Sequence, residues 1–437
     1  MMYEWFGVGR QHRYVGKGVS MSLSKMGLFI GLLSVCGWAA GHQKPSERDT
    51  LTDGFGGLNE AMEPSGIEFS LSLTTIYQQN ARGGMSTSRH QGRWSGSYNF
   101  EMTADLERLL GVEGAQLYML AEGTWSRRDI DETSVGSAFG VNGDFAPRET
   151  FNIIEFWYQQ SFFDDSLRLR IGKLDMTGGF DHRGCPVSFD CNAYANDENT
   201  QFLNSALVNN PTIPFPDYGL GAIVFWNPFG DWYLSVGAAD AQADKRETGF
   251  NTAFHGEDYF VYLAETGITP QWDSANGPLQ GAYRVGVWYS PEPRAHSDAD
   301  KVWRDDTGVY LSFDQLLAKE NNDPDDAQGL GAFFRYGIAD SKTNDIPNFY
   351  SVGVQYQGLL EGRDDDVLGI GYARGFFSDR ASTTYRDDYE SVIETYYNMQ
   401  ITRWLGLTPS VQYVANPGGT GSTRDAVVAG LRAMMTF

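Results

Sequence analysis

Charged side chains set two residues apart are the groups in this 437-residue chain best placed to do chemistry. Arg168 and Arg170 alternate with Leu167, Leu169 and Ile171, and Glu101 alternates with Phe100 and Met102. Glu122, Arg335, Glu394 and Arg432 fall on the polar parity of their own segments. A strand puts every second side chain on one face, so such groups form a polar surface of mixed sign. That surface can offer charge-assisted hydrogen bonds, roughly twice as strong as neutral ones, to a polar solute. The same groups can instead pair with each other and solvate a wall. Catalysis has less to build on. Six histidines are scattered, none of the last four falls in a strand-like segment, and no Gly-x-Ser-x-Gly elbow or Gly-rich phosphate loop occurs. "NNDPDDAQG" (321–329) looks like a calcium loop, but the twelfth position from Asp323 is Phe334, where a glutamate is needed. No metal, cofactor or catalytic residue is expected.

These residues must be positioned by strands. The closing "VVAGLRAMMTF" places Val427, Ala429, Leu431, Ala433, Met435 and Phe437 at a spacing of two, the period of a strand with one apolar face. Sixteen such segments, bounded by turn residues, run from 66–80 to 425–437. In 93–106, Trp94, Tyr98, Phe100, Met102 and Leu106 share one face, opposite Ser95, Ser97, Asn99, Glu101, Thr103 and Asp105. Connections alternate between short turns ("FFDD", "NPFGD", "WLGL") and longer polar loops, the largest at 177–217. An even strand number with all long loops at one end predicts an all-β fold, a transmembrane antiparallel barrel of about 16 strands. Its turns would be periplasmic and its loops extracellular. A lumen that wide holds water, so the apolar faces point to lipid, and closure satisfies every strand edge. Phe437 would then sit in the periplasmic aromatic girdle, where a terminal aromatic resembles the signal read by the outer-membrane assembly machinery.

The N-terminus agrees with export. Lys25 precedes "MGLFIGLLSVCGW", too short to span a bilayer, and Ala39, Ala40 and Gly41 suit a signal-peptidase site. Residues 1–40 are expected to be a signal region (1–20 an over-long start), 41–65 a periplasmic segment, and 66–437 the barrel. The formal charge is −23, and residues 1–40 carry four basic and one acidic side chain, so the remainder carries −23 − 3 = −26. Nucleic acid is therefore not an expected partner. In an exported chain Cys185 and Cys191, in "HRGCPVSFDCNAY", are expected to form a disulfide.

Several stretches resemble the carbohydrate-selective porins (OprB type) of Gram-negative outer membranes. The strongest is "ESVIETYYNMQITRWLGLTPSVQYVANPGG" (390–419), followed by "LRIGKLD" (169–175), "FLNSA" (202–206), "YGLGAIVFWNP", "YLSVGAADAQAD" and "AGLRAMMTF". The resemblance covers most of 58–437 and implies a passive channel for mono- or small oligosaccharides. A sugar would need charged and amide groups for its hydroxyls and aromatic faces for its C–H surface. Parity nominates Arg168, Arg170, Glu394, Glu101, Glu122, Arg335 and Arg432 as substrate-binding groups, with Glu68, Arg93, Asp105, Arg284 and Asp314 also inward. The family's Gly-Lys-Leu-Asp stretch implies that a bulge at Gly172 turns Lys173 and Asp175 inward. The 177–217 loop is the candidate constriction. Expected partners are the carbohydrate, outer-membrane lipid and lipopolysaccharide, and the assembly machinery. The strong negative charge keeps a general or cation-preferring porin open as the alternative. An outer-membrane hydrolase and a soluble secreted sugar-binding protein are further alternatives.

Overall fold

The structure, a computed structural model, describes residues 48–437 except 89–91, 127, 147–149, 178–186, 255, 296–301, 324–325, 380–384 and 387. The signal region and Cys185 lie outside the described residues. Sixteen strands close into one antiparallel barrel. They are β1 Ile67–Gly84, β2 Gly92–Asp105, β3 Ala115–Thr124, β4 Thr150–Phe162, β5 Leu167–Leu174, β6 Gly219–Trp226, β7 Trp232–Asp240 and β8 Phe260–Ile268. Then come β9 Gly277–Ser290, β10 Asp306–Lys319, β11 Gly329–Ala339, β12 Asn348–Gln357, β13 Val367–Phe376, β14 Tyr389–Thr402, β15 Leu405–Ala415 and β16 Arg424–Thr436. Each pairs with its neighbour in sequence, and β16 returns to pair with β1 from Ser72↔Thr436 to Gly84↔Arg424. The short Gln271–Ser274 strand continues β8 beyond Pro270 along β9.

Closure leaves the wall no unpaired edge, the condition for a sheet in hydrocarbon. Side-chain parity divides the wall into two surfaces. Ile393, Val352, Val309 and Leu431 point outward and are 42–47% exposed, while their inward neighbours are buried. Connections at one end are short, from 403–404 up to 106–114, and at the other they extend to 125–149 and 175–218. Asp105 belongs to the short-turn end. Its carboxylate accepts from the Glu107 and Arg108 backbone N–H groups and caps the helix Leu106–Leu110, so it is a capping group rather than a lumenal one.

The lumen is partly filled by loops, where the width of the barrel suggested only water. Inward positions on β6–β16 include Ile223, Phe225, Leu263, Phe333, Phe349, Val392, Val414 and Val428, all buried. They pack against Phe139 and Val141 of the 125–149 connection and Phe189, Phe202 and Leu207 of the 175–218 connection. The physical reason is that long loops fold inward and bring their own apolar surface, so inward apolar residues are satisfied without lipid.

Candidate functional site

Five strands of the barrel clamp the in-folded segment 187–217. Glu394 on β14 is fully buried, and its two carboxylate oxygens accept from the backbone N–H groups of Leu203 (2.9 Å) and Asn204 (2.8 Å). Asn204 in turn caps the one-turn helix Ser205–Val208 and donates to Gln412 on β15. Gln412 donates onward to the Val141 carbonyl, tying the two loops together. Arg335 on β11 donates from Nη1 to the carbonyls of Ala195 (3.0 Å) and Leu207 (2.9 Å) and forms an ion pair with Asp190 at 3.5 Å. Arg432 on β16 donates to the Glu198 (2.5 Å) and Gln201 (2.8 Å) carbonyls. On β10, the Ser312 hydroxyl donates to the Cys191 carbonyl. Charged groups bonded to backbone in this way leave few loop carbonyls or amides without a partner in the dry interior.

Burial sets the charge state of loop carboxylates. Asp190 is pushed up to about 7, because burial outweighs the opposing Arg335 cation, and Glu198 is pushed up to about 8, again by burial. A carboxylate raised on docking favours the docked loop at low pH, and that contribution declines as pH rises through these values.

On β2–β7, Glu101, Tyr118, Arg168 and Arg170 remain half-exposed against the buried Trp157, Gln159 and Phe225. Arg170 lies 3.8 Å above the Trp157 ring, holds the Gln159 Oε1 with both Nε (3.1 Å) and Nη2 (2.9 Å), and donates from Nη1 to the Val187 carbonyl of the in-folded segment at 3.3 Å. Tyr118 stacks on the same indole at 4.9 Å and donates its hydroxyl to Glu101 at 2.9 Å. The Trp157 Nε1–H donates to Glu155. One register position along, Arg168 lies 4.3 Å over Phe225, which stacks on Tyr233. The Trp157 and Phe225 rings are therefore each covered by a guanidinium group, which replaces a bare apolar face with an oriented cation.

Lys173 and Asp175 follow another logic. β5 keeps register with both neighbours through Gly172, so the bulge is not there. The extra residue is Ile154 on β4, between the pairs Leu120↔Glu155 and Ala121↔Ile153. Gly172 is needed for a different reason. Its φ is +146°, and a Cβ would fall 2.3 Å from the Phe156 carbonyl oxygen. Lys173 is 5% exposed, with its ammonium donating to the carbonyls of Ile153, Lys245 and Glu247. It pins a third connection, 241–259, whose Lys245 pairs with Glu122 at 3.0 Å. Asp175 accepts from Thr177 and turns the chain into the long connection.

The structure thus gathers Arg168, Arg170 and Glu101 on one face, while Arg335, Glu394 and Arg432 serve the loop clamp and Lys173, Asp175 and Glu122 the loop mouths. Sequence reasoning missed Asp190, Glu265, Asn204 and Gln412. Glu265 accepts from the Tyr233 and Tyr310 hydroxyls and from the Asp190 N–H. Its inward parity on β8 was the available signal.

A family model described as "Carbohydrate-selective porin, OprB family" matches residues 89–437. Porin B of Pseudomonas aeruginosa is 25% identical over 434 residues, covering 90% of this chain and 92% of that protein. A putative porin QuiX of Acinetobacter baylyi is 23% identical, covering 90% and 94%. Among solved structures, the high-pH structure of Pseudomonas putida OprB has a similar fold, with a TM-score of 0.76 at 22% identity, covering 90% of this chain and all of that one.

Proposed function

Because this chain belongs to the OprB family of carbohydrate-selective porins, we propose that its sugar path runs along the Arg168–Arg170 face and is narrowed by residues 177–217. The protein is a passive carbohydrate channel of the Gram-negative outer membrane and not an enzyme. The observation that carries the path is Arg170 held flat between Trp157 and Gln159 while still half-exposed. A sugar entering the pore gives up hydration, and donors fixed beforehand replace it without further ordering cost. Arg335, Glu394 and Arg432 contribute by holding the constriction in place instead of touching solute. In this orientation the short turns are periplasmic and the long loops extracellular.

Arg170→Ala tests the path. Losing one charge-assisted donor should weaken sugar block of channel conductance roughly tenfold, although the pore becomes wider. Bilayer conductance with added sugar gives the readout. Sugar flux that instead rises in step with pore size would make the face a plain wall and favour an unselective channel. A cation-preferring reading draws on Glu60, Glu63, Glu68 and Glu101, which line a cavity of about 470 Å³ at the short-turn end. Reversal potential in a salt gradient separates the two readings.

The outward wall meets outer-membrane lipid and lipopolysaccharide, and the assembly machinery reads the last strand. Phe437 extends that strand, its N–H donating to the Leu71 carbonyl at 2.8 Å on the outward parity of β16. Phe437→Asp should deplete folded protein in the outer membrane. Heat-modifiable barrel at normal abundance would remove this role.

A further inference from the structure

Arg374 on the outer wall has no carboxylate partner among the described residues. Arg374 pairs across the sheet with Tyr350 and Ser391, on the parity of Val352, Ile370 and Ile393, which are 43–48% exposed on the outside of the barrel. It therefore faces away from the lumen. Its guanidinium lies 3.7 Å over the Tyr389 ring and 5.0 Å from the Phe376 ring; Tyr350, hydrogen-bonded through its side chain to Arg374, and Tyr372 complete an aromatic surround. Its Nε is buried with no hydrogen-bond partner. Three arginines at the short-turn rim differ. Arg363 pairs with Asp366, Arg403 with Asp49 and Arg108 with Asp105, whereas among the described residues no carboxylate pairs with Arg374.

Height along the wall suggests the missing partner. Arg374 stands two residues from the end of β13, above the exposed aliphatic band and level with a cluster of four aromatic side chains. Aromatic girdles of this kind mark the boundary between hydrocarbon and headgroups. An unpaired cation turned toward hydrocarbon is costly, and the cost falls toward that boundary. The rings hold the guanidinium plane by cation–π contact, so its donor edge is oriented before any ligand arrives.

We propose that Arg374, framed by Phe376 and Tyr389, is a binding site for the phosphate of an outer-leaflet lipid. The rings take up the first acyl or sugar carbons and the guanidinium takes the phosphate in a bidentate hydrogen bond. This site lies on the opposite face of the wall from the sugar path and does not depend on it.

The test uses the purified full chain in uncharged detergent micelles, doped with lipid A carrying its phosphates, with lipid A stripped of them, or with free inorganic phosphate. Retention of each lipid is read by native mass spectrometry on the wild type, Arg374→Gln and Tyr389→Leu. Phosphorylated lipid A should be retained about tenfold more weakly by Arg374→Gln, the size of one charge-assisted hydrogen bond. The stripped lipid should not discriminate between the two proteins. Tyr389→Leu keeps the cation but loses the ring that fixes it, and should show an intermediate loss. Equal retention by wild type and Arg374→Gln would overturn the site. Competition by millimolar inorganic phosphate as effective as the lipid would overturn the lipid assignment. Sugar block of conductance, unchanged in both variants, separates this result from any failure of the sugar path.

Discussion

Arg335→Ala is expected to release the constriction and convert a narrow, sugar-blocked channel into a wider and less selective one. Arg335 joins both halves of the in-folded segment to the wall, through the carbonyls of Ala195 and Leu207 and the Asp190 carboxylate. Hydrogen bonds to a charged donor contribute about 1.5–3 kcal/mol each, so losing the two to Ala195 and Leu207 should raise the undocked population by roughly two to four orders of magnitude. Single-channel recordings should show larger and noisier conductance, with sugar block weakened beyond what Arg170→Ala produces. The loop should also gain pH sensitivity. Without the Arg335 cation, the largest influence opposing the burial that raises Asp190 is gone, so ionising that carboxylate penalises the docked loop more. Conductance of the variant should therefore climb as pH rises through neutrality. A variant with wild-type conductance across that range would show that apolar packing alone holds the segment.

The second large effect concerns stability of the wall. Arg284 on β9 is buried, donates to Asp314 on β10 at 2.6 Å, and lies diagonally across from Glu265 on β8. Arg284→Met keeps the volume but leaves the Asp314 carboxylate buried without its cation. Breaking a buried pair on one side typically costs about 3–5 kcal/mol. The variant barrel should unfold in detergent at a clearly lower temperature, read by the heat-modifiable shift on gels. Arg284→Met combined with Asp314→Leu should recover most of the loss, because an apolar replacement of the whole pair is often near neutral. No recovery in the double variant would mean that the remaining contacts of Arg284, and not its charge, stabilise the wall.

The wall was readable from sequence because a strand's period of two is local. The alternation in 93–106 or 425–437 needs no knowledge of what lies across the sheet. The same parity also placed Arg335, Glu394 and Arg432 inward. Their roles were not readable, since their partners lie more than a hundred residues away in a loop with no periodicity of its own. Asn204 and Gln412 meet only after the loop enters the barrel. Inward Val392, Val414 and Val428 share a cluster with Phe202 and Leu207, a contact that the strands' own pattern does not announce. Lys173 shows the limit in the other direction. Its odd parity signalled an irregularity, but the extra residue sits on the neighbouring strand, where only the pairing of Leu120 and Ala121 reveals it.

The β1–β16 seam has a kinetic side. Every other joint in the wall is between strands adjacent in sequence and can zip from its turn, whereas this one brings Ser72 to Thr436. Closing a loop of that length costs about 5 kcal/mol of chain entropy before any of its ladder forms. The seam is therefore the natural last event in folding, with both sheet edges open until it happens. Open edges of this length are templates for pairing with another chain. A nascent barrel thus spends its most vulnerable interval nearly complete, and whatever shelters those two edges governs how many chains arrive folded.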